Sequence, residues 1–257
     1  MLAPGILRIM NDTDFFRALN PGQRGGFDET NWWVVDKAGH PDQPQAEEAR
    51  ALLCRPYWYP VYCYTCRLGH THEDAQDLTQ EFFARILEKN YLQAATAEKG
   101  RFRSYLLMML KRFLADEWDR TRRQKRGGGV RIVSLDAVDT QFLRRQEFAE
   151  ATTPDKAFDL AWAESLIRHA LESLEQELAA AGKGALFRHL KAYLTGDSEV
   201  TCVATAERLG MSVSNLKVTV HRLRARLRDL VRTEIANTAN SPEEVEAEVQ
   251  DLYAALR

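Results

Sequence analysis

Four side chains able to bind a metal ion lie close together in the first third of the chain. Cys63 and Cys66 form a Cys-X2-Cys pair, and His70 and His72 follow within a few residues. Thiolate and imidazole groups at such spacing are typical zinc ligands. Both cysteines, however, lie inside an aromatic helical pattern, and no second ligand pair has the spacing of a zinc finger. We therefore expect small buried hydrophobes here, with no metal and no cofactor. A metal-dependent enzyme stays as the remote alternative.

A second group of side chains suited to binding chemistry ends the stretch of residues 101–126. Five cations arrive almost together, and three glycines at positions 127–129 stop the pattern. Cations neutralise phosphates, and aromatic rings beside them can stack on unpaired bases, so this basic end favours nucleic acid. The alternative is a core helix with a solvated charged end. The five cations are Arg120, Arg122, Arg123, Lys125 and Arg126.

The helix that must position this basic end has one broad apolar face. Apolar residues recur in it at three- and four-residue spacing, which predicts a helix buried along one side. One part of the helix is therefore expected to lie in a core, and the other part to form a basic surface. The predicted buried face comprises Phe102, Tyr105, Leu106, Met109, Leu110, Phe113, Leu114 and Trp118.

The composition is that of a globular protein with an uneven distribution of charge. The 257 residues carry a net charge of −2, yet residues 99–131 hold eleven Lys/Arg against three Asp/Glu. Such local asymmetry points to a charged partner. No apolar run approaches the ~20 residues of a membrane span. The absence of a signal-peptide pattern and of a disulfide framework favours the cytoplasm. Neither a phosphate loop nor a nucleophile motif is evident, so we expect a non-enzymatic protein that acts by binding.

Helical patterns also account for the chain before the basic helix. Residues 1–45 are a loop-rich N-terminal extension, in which Trp32 and Trp33 are expected to pack on the first domain. Residues 46–68 predict a helix pair or one broken helix, because Pro56 and Pro60 limit how it can run. Residues 72–90 predict an amphipathic helix capped by Thr71 or Asp74. Its predicted buried stripe is Leu78, Phe82, Phe83, Ile86 and Leu87.

The second half of the chain begins after a linker. Residues 127–154 start with three glycines and keep no sustained period, which predicts a flexible linker. Thr153 and Pro154 then mark a helix start. Near the end of residues 155–237, two helices flank a turn that contains Gly210, which is the pattern of a helix-turn-helix, with an ordinary helical hairpin as the alternative. The predicted inward stripe of the second helix is Val213, Leu216, Val220, Leu223 and Leu227.

The C-terminal segment, residues 238–257, predicts an acidic helix. It begins with Ser-Pro-Glu-Glu, a helix start, and five Asp/Glu face one Arg between positions 240 and 257. Its apolar residues share one face, so we expect it to pack back on a domain: Val245, Val249, Leu252 and Leu256. An acidic helix of this kind could shield a basic DNA-binding face in the free protein.

Two stretches of this sequence resemble RNA polymerase sigma factors of the extracytoplasmic-function (ECF) group. DAQDLTQEFFARIL, a connector, FRSYLLMMLKRFLADEW and a basic tail resemble region 2, and AERLGMSVSNLKVTVHRLRARLRDLV resembles region 4. They stand in the family order. The resemblance implies an all-α fold of two small helical domains joined by a flexible linker. Region 2 would be a helical bundle at residues 46–126, and region 4 a helix-turn-helix at residues 155–237.

The resemblance also implies partners and contact residues. A sigma factor directs RNA polymerase to promoters, and it binds the clamp helices of the largest subunit and the flap of the second-largest subunit. An anti-sigma factor or other regulator is a further implied partner, whereas a membrane is not. The alternative is a helix-turn-helix regulator that never joins polymerase. The polymerase contact would fall on Asp74, Asp77, Gln80, Glu81, Phe83 and Arg85.

Promoter DNA would contact two sets of residues. The implied minus-ten set is Arg101, Arg103, Lys111, Arg112, Asp116, Asp119, Arg120, Arg122 and Arg123; many relatives carry amides near Arg112 and Asp116, so this chain departs from the family pattern there. The implied minus-thirty-five set is Ser212, Ser214, Asn215, Lys217, Val218, His221, Arg222, Arg224 and Arg228. Because the guanidinium fork matches guanine, we expect Arg222 to read a base, and we expect Arg228 to touch phosphate or solvent.

Overall fold

The computed structural model describes residues 33–40, 42, 45–89, 91–95, 101–124, 153–195 and 202–256. Within these ranges the chain forms helices and no strand, which confirms the all-α prediction. The first half contains α1 (Trp33–Gly39), α2 (Ala46–Arg67), α3 (His72–Glu88), a 3-10 helix (Tyr91–Ala94) and α4 (Phe102–Gln124). The second half contains α5 (Pro154–Ala180), α6 (Gly184–Thr195), α7 (Cys202–Arg208), α8 (Val213–Ala236) and α9 (Pro242–Ala255).

Three sequence predictions lie outside the described residues. They are the linker up to residue 152, residues 1–32 of the predicted loop-rich extension with Trp32, and the basic end beyond Gln124. Within the rest of that extension, Trp33–Gly39 form α1, so the prediction of a loop is wrong there. Among the described helices, none combines the length and the apolar character that crossing a membrane requires.

Several helices begin where the sequence predicts, at residues whose hydroxyl groups cap the first turn. Each hydroxyl oxygen accepts a hydrogen bond from the backbone N–H three residues further on, and so satisfies one of the donors that a helix start leaves unpaired. The caps are Thr71 of α3, Thr153 of α5, Ser212 of α8 and Ser241 of α9. Of the two residues considered for α3, Thr71 is therefore the cap.

Helix α2 is one continuous helix, so the prediction of a helix pair or a broken helix is wrong. Pro56 and Pro60 lie inside it. Each proline removes a backbone donor, which normally breaks an exposed helix. Here α2 is enclosed by α1, α3 and α5, and both prolines are among its buried residues. Burial of side chains on several sides of α2 outweighs the two missing hydrogen bonds.

The hydrophobic core runs through both halves of the chain. The ring of Tyr57 in α2 meets Phe102 of α4 edge-on, with 5.4 Å between centroids. The ring of Tyr64 meets Phe158 of α5 in the same way at 6.5 Å. Buried side chains from before and after the linker belong to one contiguous cluster. The helices of the two predicted units are therefore packed against each other in this conformation.

Helix α4 buries a narrower stripe than its sequence pattern predicts. Phe102, Leu106, Leu110 and Phe113 are buried, and the next residue on that line is Glu117. Trp118 was predicted on the buried face, but its side chain is 63% exposed. The reason is geometric, because each helical residue turns by about 100°, so position 118 leaves the line that position 117 continues.

Helix α9 packs back on the rest of the molecule, as predicted. Val245, Val249, Leu252 and Leu256 are all buried, and the helix lies against α5 and α8. Arg232 of α8 also pairs with Glu246 of α9, with 3.2 Å between the guanidinium nitrogen and the carboxylate oxygen.

We expect Phe82→Ala to lower the free energy of unfolding by about 3–5 kcal/mol, because the ring is 1% exposed and contacts Phe113. Trp118→Ala is the matched control, since a larger aromatic group is lost from an exposed position, and the expected change is about 0.5 kcal/mol or less. Urea denaturation followed by circular dichroism measures both values. Equal losses for the two variants would contradict the assigned orientation of α4.

Candidate nucleic-acid interface

The outer face of α3 presents a small set of polar groups. Asp77 and Gln80 are exposed, and Asp74 accepts a hydrogen bond from the Thr71 hydroxyl at 2.8 Å. Phe83, which belongs to the predicted polymerase-binding set, is 8% exposed and turned toward the core. The accessible part of this predicted set therefore consists of its polar members.

The remaining two members of that set, Glu81 and Arg85, belong to an ion-pair network with α4. Arg85 donates to Glu117 at 2.6 Å and to Glu81 at 3.1 Å. Its guanidinium also lies over the ring of Phe113, 4.7 Å from the centroid. Arg120 approaches the second oxygen of Glu117 at 2.6 Å. A buried carboxylate is costly unless it is paired, so this network fixes α3 against α4 around Glu117.

A cavity of about 680 Å³ opens between α3, the 3-10 helix and α4. Its apolar lining includes Phe82, Ile86, Tyr105, Met108, Met109 and Phe113, and its polar lining includes Arg85, Lys89, Ser104, Arg112 and Asp116. Tyr105 is held in place because its hydroxyl donates to the carbonyl of Tyr91 at 2.7 Å. Arg112 and Asp116 are exposed. Aromatic and apolar walls with polar groups at the rim suit a planar group with hydrogen-bonding edges, such as a nucleobase.

The other residues of the predicted minus-ten set differ in their exposure and partners. Arg101, Arg103 and Lys111 pair with carboxylates from α5 and α9. Asp119 and Arg120 are exposed on the last described turns of α4. Arg122 and Arg123 lie in α4, but their side chains fall outside the described part of the structure.

Helices α7 and α8 form the predicted helix-turn-helix. Gly210 in the turn has a φ of 63°, a conformation that residues with a Cβ rarely adopt. The inward stripe is confirmed at Leu216, Val220, Leu223 and Leu227, which are buried, whereas Val213 is partly exposed. The exposed members of the predicted minus-thirty-five set are Ser212, Ser214, Asn215, Lys217, Val218, His221 and Arg222.

Two arginines of that set turn inward. Arg224 donates to the carbonyl of Tyr193 in α6 at 3.0 Å, and Arg228 is 8% exposed. Arg228 was expected to touch phosphate or solvent, but α8 passes into the core before this position, and the helix is enclosed on more than one side there. The accessible part of the set is confined to the first half of α8.

A family model described as "ECF sigma factor" matches residues 66–233, which run from the end of α2 to near the end of α8. The chain belongs to the ECF sigma factor family. The comparisons with curated proteins and with solved structures gave no match. As an ECF sigma factor, the protein directs RNA polymerase to promoters for the initiation of transcription, and it binds core polymerase and promoter DNA.

The cysteines of this ECF sigma factor are packed side chains. Cys63 is fully buried and lies in a small cluster with Ala161 of α5. Burial raises the pKa of the Cys63 and Cys66 thiols, which opposes the thiolate form that a metal requires. His72 accepts or donates a short hydrogen bond with the Tyr62 hydroxyl at 2.6 Å. Within the described residues, no three His, Cys, Asp or Glu side chains are grouped to hold a metal ion.

Sequence reasoning missed the carboxylates that face α4. Asp155, Asp159, Glu248 and Asp251 approach its cations from α5 and α9. The excess of acidic residues near the C-terminus was visible in the sequence, and it suggested that this helix shields a basic face. Which cations it would meet depends on how α9 packs across residues far apart in the chain.

Proposed function

We propose that three separate surfaces of this ECF sigma factor carry out its function. The outer face of α3 binds the clamp helices of the largest polymerase subunit, the cavity beside α4 accepts a base of the minus-ten element, and the first half of α8 reads the minus-thirty-five element. Residues 46–126 and 155–237 are then the two functional units. We also propose that the second unit contacts the flap of the second-largest subunit. The observation that carries the proposal is the cavity between α3 and α4, with its aromatic walls and its exposed Arg112 and Asp116.

The polymerase contact is supported by the separation of buried anchoring residues and exposed polar residues on α3. Phe82 and Ile86 anchor the helix in the core, and Glu117 fixes it laterally through Arg85. Asp77 and Gln80 are left exposed on a rigid support. An exposed acid on a fixed helix suits a basic partner surface, where complementary charge steers association and rejects wrong partners.

The minus-ten contact is supported by the position of the cavity. A base that leaves the duplex must find a stacking surface and hydrogen-bonding groups that replace its neighbours and its pair. Tyr105 and Met108 supply the surface, and Arg112 and Asp116 supply a donor and an acceptor. Unstacking costs least at flexible steps, which favours an A·T-rich element.

The minus-thirty-five contact is supported by the orientation of α8. Its apolar stripe faces α7 and the core, so the polar residues of its first half point outward together. In helix-turn-helix proteins, this part of the second helix enters the major groove. Arg222 is exposed on this side of the helix and can offer two donors to one guanine.

We expect Asp77→Lys to weaken binding of core polymerase by about tenfold or more, because like charges are brought together at the contact. Glu81 is a poorer target than Asp77, since it is engaged with Arg85 and Arg120. The control is Glu47→Lys, an equal charge change at an exposed position in the first turn of α2. Fluorescence anisotropy with labelled protein measures the Kd, and equal affinity of both variants for core polymerase would contradict the assignment.

We expect Arg112→Ala to cost about 1–3 kcal/mol in holoenzyme binding to a fork DNA with an unpaired minus-ten strand, because one polar contact to the captured base is lost. An abasic site at one position of the minus-ten strand should weaken DNA binding of the wild-type holoenzyme by a similar free energy. At that position it should weaken binding of the Arg112→Ala holoenzyme little further. Arg188→Ala, an exposed arginine on α6, is the control. Fully additive losses for the variant and the abasic site at every position would rule out this cavity as the base site.

Arg222→Ala should cost about 1–3 kcal/mol on the preferred upstream element and relax the preference at one position. Run-off transcription from a promoter library with core polymerase defines the preferred element and then compares the variants. The matched control is Arg226→Ala, because Glu177 already holds that guanidinium through two hydrogen bonds of 2.6 and 2.9 Å. The same promoter preference in Arg222→Ala and Arg226→Ala would contradict the assignment of Arg222.

A further inference from the structure

Three cations form ion pairs with acids from the second half of the chain. Two of them, Arg103 and Lys111, lie in α4, and Arg101 directly precedes it. Arg101, Arg103 and Lys111 belong to the minus-ten set that the resemblance to sigma factors implies, and we propose that they contact DNA beside the cavity. Their partners come from the start of α5 and from α9, both of which follow the linker. The four partner acids are Asp155, Asp159, Glu248 and Asp251.

Arg103 is the centre of this arrangement. Its guanidinium contacts Glu248 at 3.0 Å, Asp251 at 2.7 Å and also Asp159. It lies over the Trp162 ring, 4.3 Å from the centroid, and its side chain is 11% exposed. Charge-assisted hydrogen bonds to three carboxylates and an aromatic face leave a phosphate no room at this guanidinium.

Arg101 and Lys111 extend the same ion-paired surface to either side, although their side chains are 32% and 47% exposed. Arg101 pairs with Asp251 and, at 3.6 Å, with Glu248. Lys111 lies 2.9 Å from Asp155 of α5. Burial raises the pKa of the Glu248 carboxyl while Arg103 and Arg101 lower it. The neighbouring acids Asp155, Asp159 and Asp251 stay between 39 and 53% exposed, so their ion pairs are accessible to competing anions.

Helix α9 is held in place beside these cations by its packing on the rest of the molecule. Val249 and Leu252 hold it in the core, and Arg232 ties it to α8 through Glu246. The helix lies beyond residue 233, where the match to the family model ends. Its contact with α4 is thus an addition to the part of the chain that the family shares.

We propose that α9, together with the start of α5, is an intramolecular competitor of promoter DNA. Its carboxylates occupy the guanidinium and ammonium groups that would otherwise bind phosphate, and DNA binding at α4 requires this contact to open. The inference rests on the proposed minus-ten surface. Because DNA and the acidic residues bind the same cations, each weakens the other by an equal factor, as linkage requires. The outer face of α3 stays exposed in the closed form, so polymerase can bind before the contact opens.

The test compares the full-length protein with the variant Asp155→Asn/Asp159→Asn/Asp251→Asn. This variant keeps Glu248, so that buried Arg103 retains a partner and the fold is preserved. The matched control is Glu47→Gln/Glu48→Gln/Glu243→Gln, which removes the same charge from exposed positions of α2 and α9. The probe is a fluorescein-labelled duplex with a single-stranded tail, titrated without polymerase at several salt concentrations.

We expect the Asn variant to bind the probe with a Kd at least fivefold lower than the wild type. Its plot of log K against log salt should be steeper by about 1.5, because roughly two cations are released to meet phosphates. The control should match the wild type in both measures. Should the triple variant lose its circular-dichroism melt, Asp251→Asn alone must show the same direction of change. Equal Kd values and slopes for the Asn variant, or for Asp251→Asn, and the control overturn the inference.

Adding Arg101→Ala separates this inference from the proposed function. If Arg101 contacts DNA, this change weakens probe binding in the Asn variant and reverses about half of the increase in salt dependence, because one of the two released cations is removed. If it weakens binding equally in the wild type and in the Asn variant, Arg101 meets DNA but is not covered, and the competitor is overturned while the DNA surface stands. If it weakens binding in neither, the proposed minus-ten surface itself is wrong at this residue.

Discussion

The packing of α2 against α5 is the constraint on which the rest of the structure depends. It joins helices from either side of the linker along their apolar faces, with Tyr64 against Phe158 and the fully buried Cys63 beside Ala161. Burial of this kind is favourable in proportion to the apolar area that it removes from water. It therefore holds the two units together without requiring a specific polar contact between them. The residues Asp159 and Trp162 that enclose Arg103, and part of the surface on which α9 packs, lie on α5. The contact also supplies part of the cover around α2, which α1 and α3 complete.

Local sequence signals were sufficient for the starts of four helices, but not for α1 or for the continuity of α2. Thr71, Thr153, Ser212 and Ser241 cap helices at the predicted places because capping involves only neighbours within one turn. The inward stripe of α8 was predictable from Leu216 to Leu227 for the same reason, since helical period alone decides which side chains share a face. The family, and with it the function, was recognisable because the motifs of both regions are short and keep their order.

What the sequence could not decide depends on contacts between distant residues. Trp118 and Glu117 are neighbours, and hydropathy favours burying the tryptophan. The structure buries the glutamate, because Arg85 and Arg120 meet it there. Arg228 is of a residue type that commonly contacts DNA, but it lies where α8 enters the core. Most clearly, the cations at the start of α4 are chemically suited to phosphate and to carboxylate alike, and a local pattern cannot tell which anion they face.

The enclosed ion pairs of Arg103 also bear on how a sigma factor finds its target. A chromosome offers on the order of a million or more non-specific sites, which compete with a promoter for any exposed basic surface. A free sigma factor with open cations would be distributed over this excess, and little would remain to meet polymerase. If those cations are occupied internally and the outer face of α3 binds polymerase, as we propose, the free protein would partition toward polymerase, and the search along DNA would be left to the assembled enzyme.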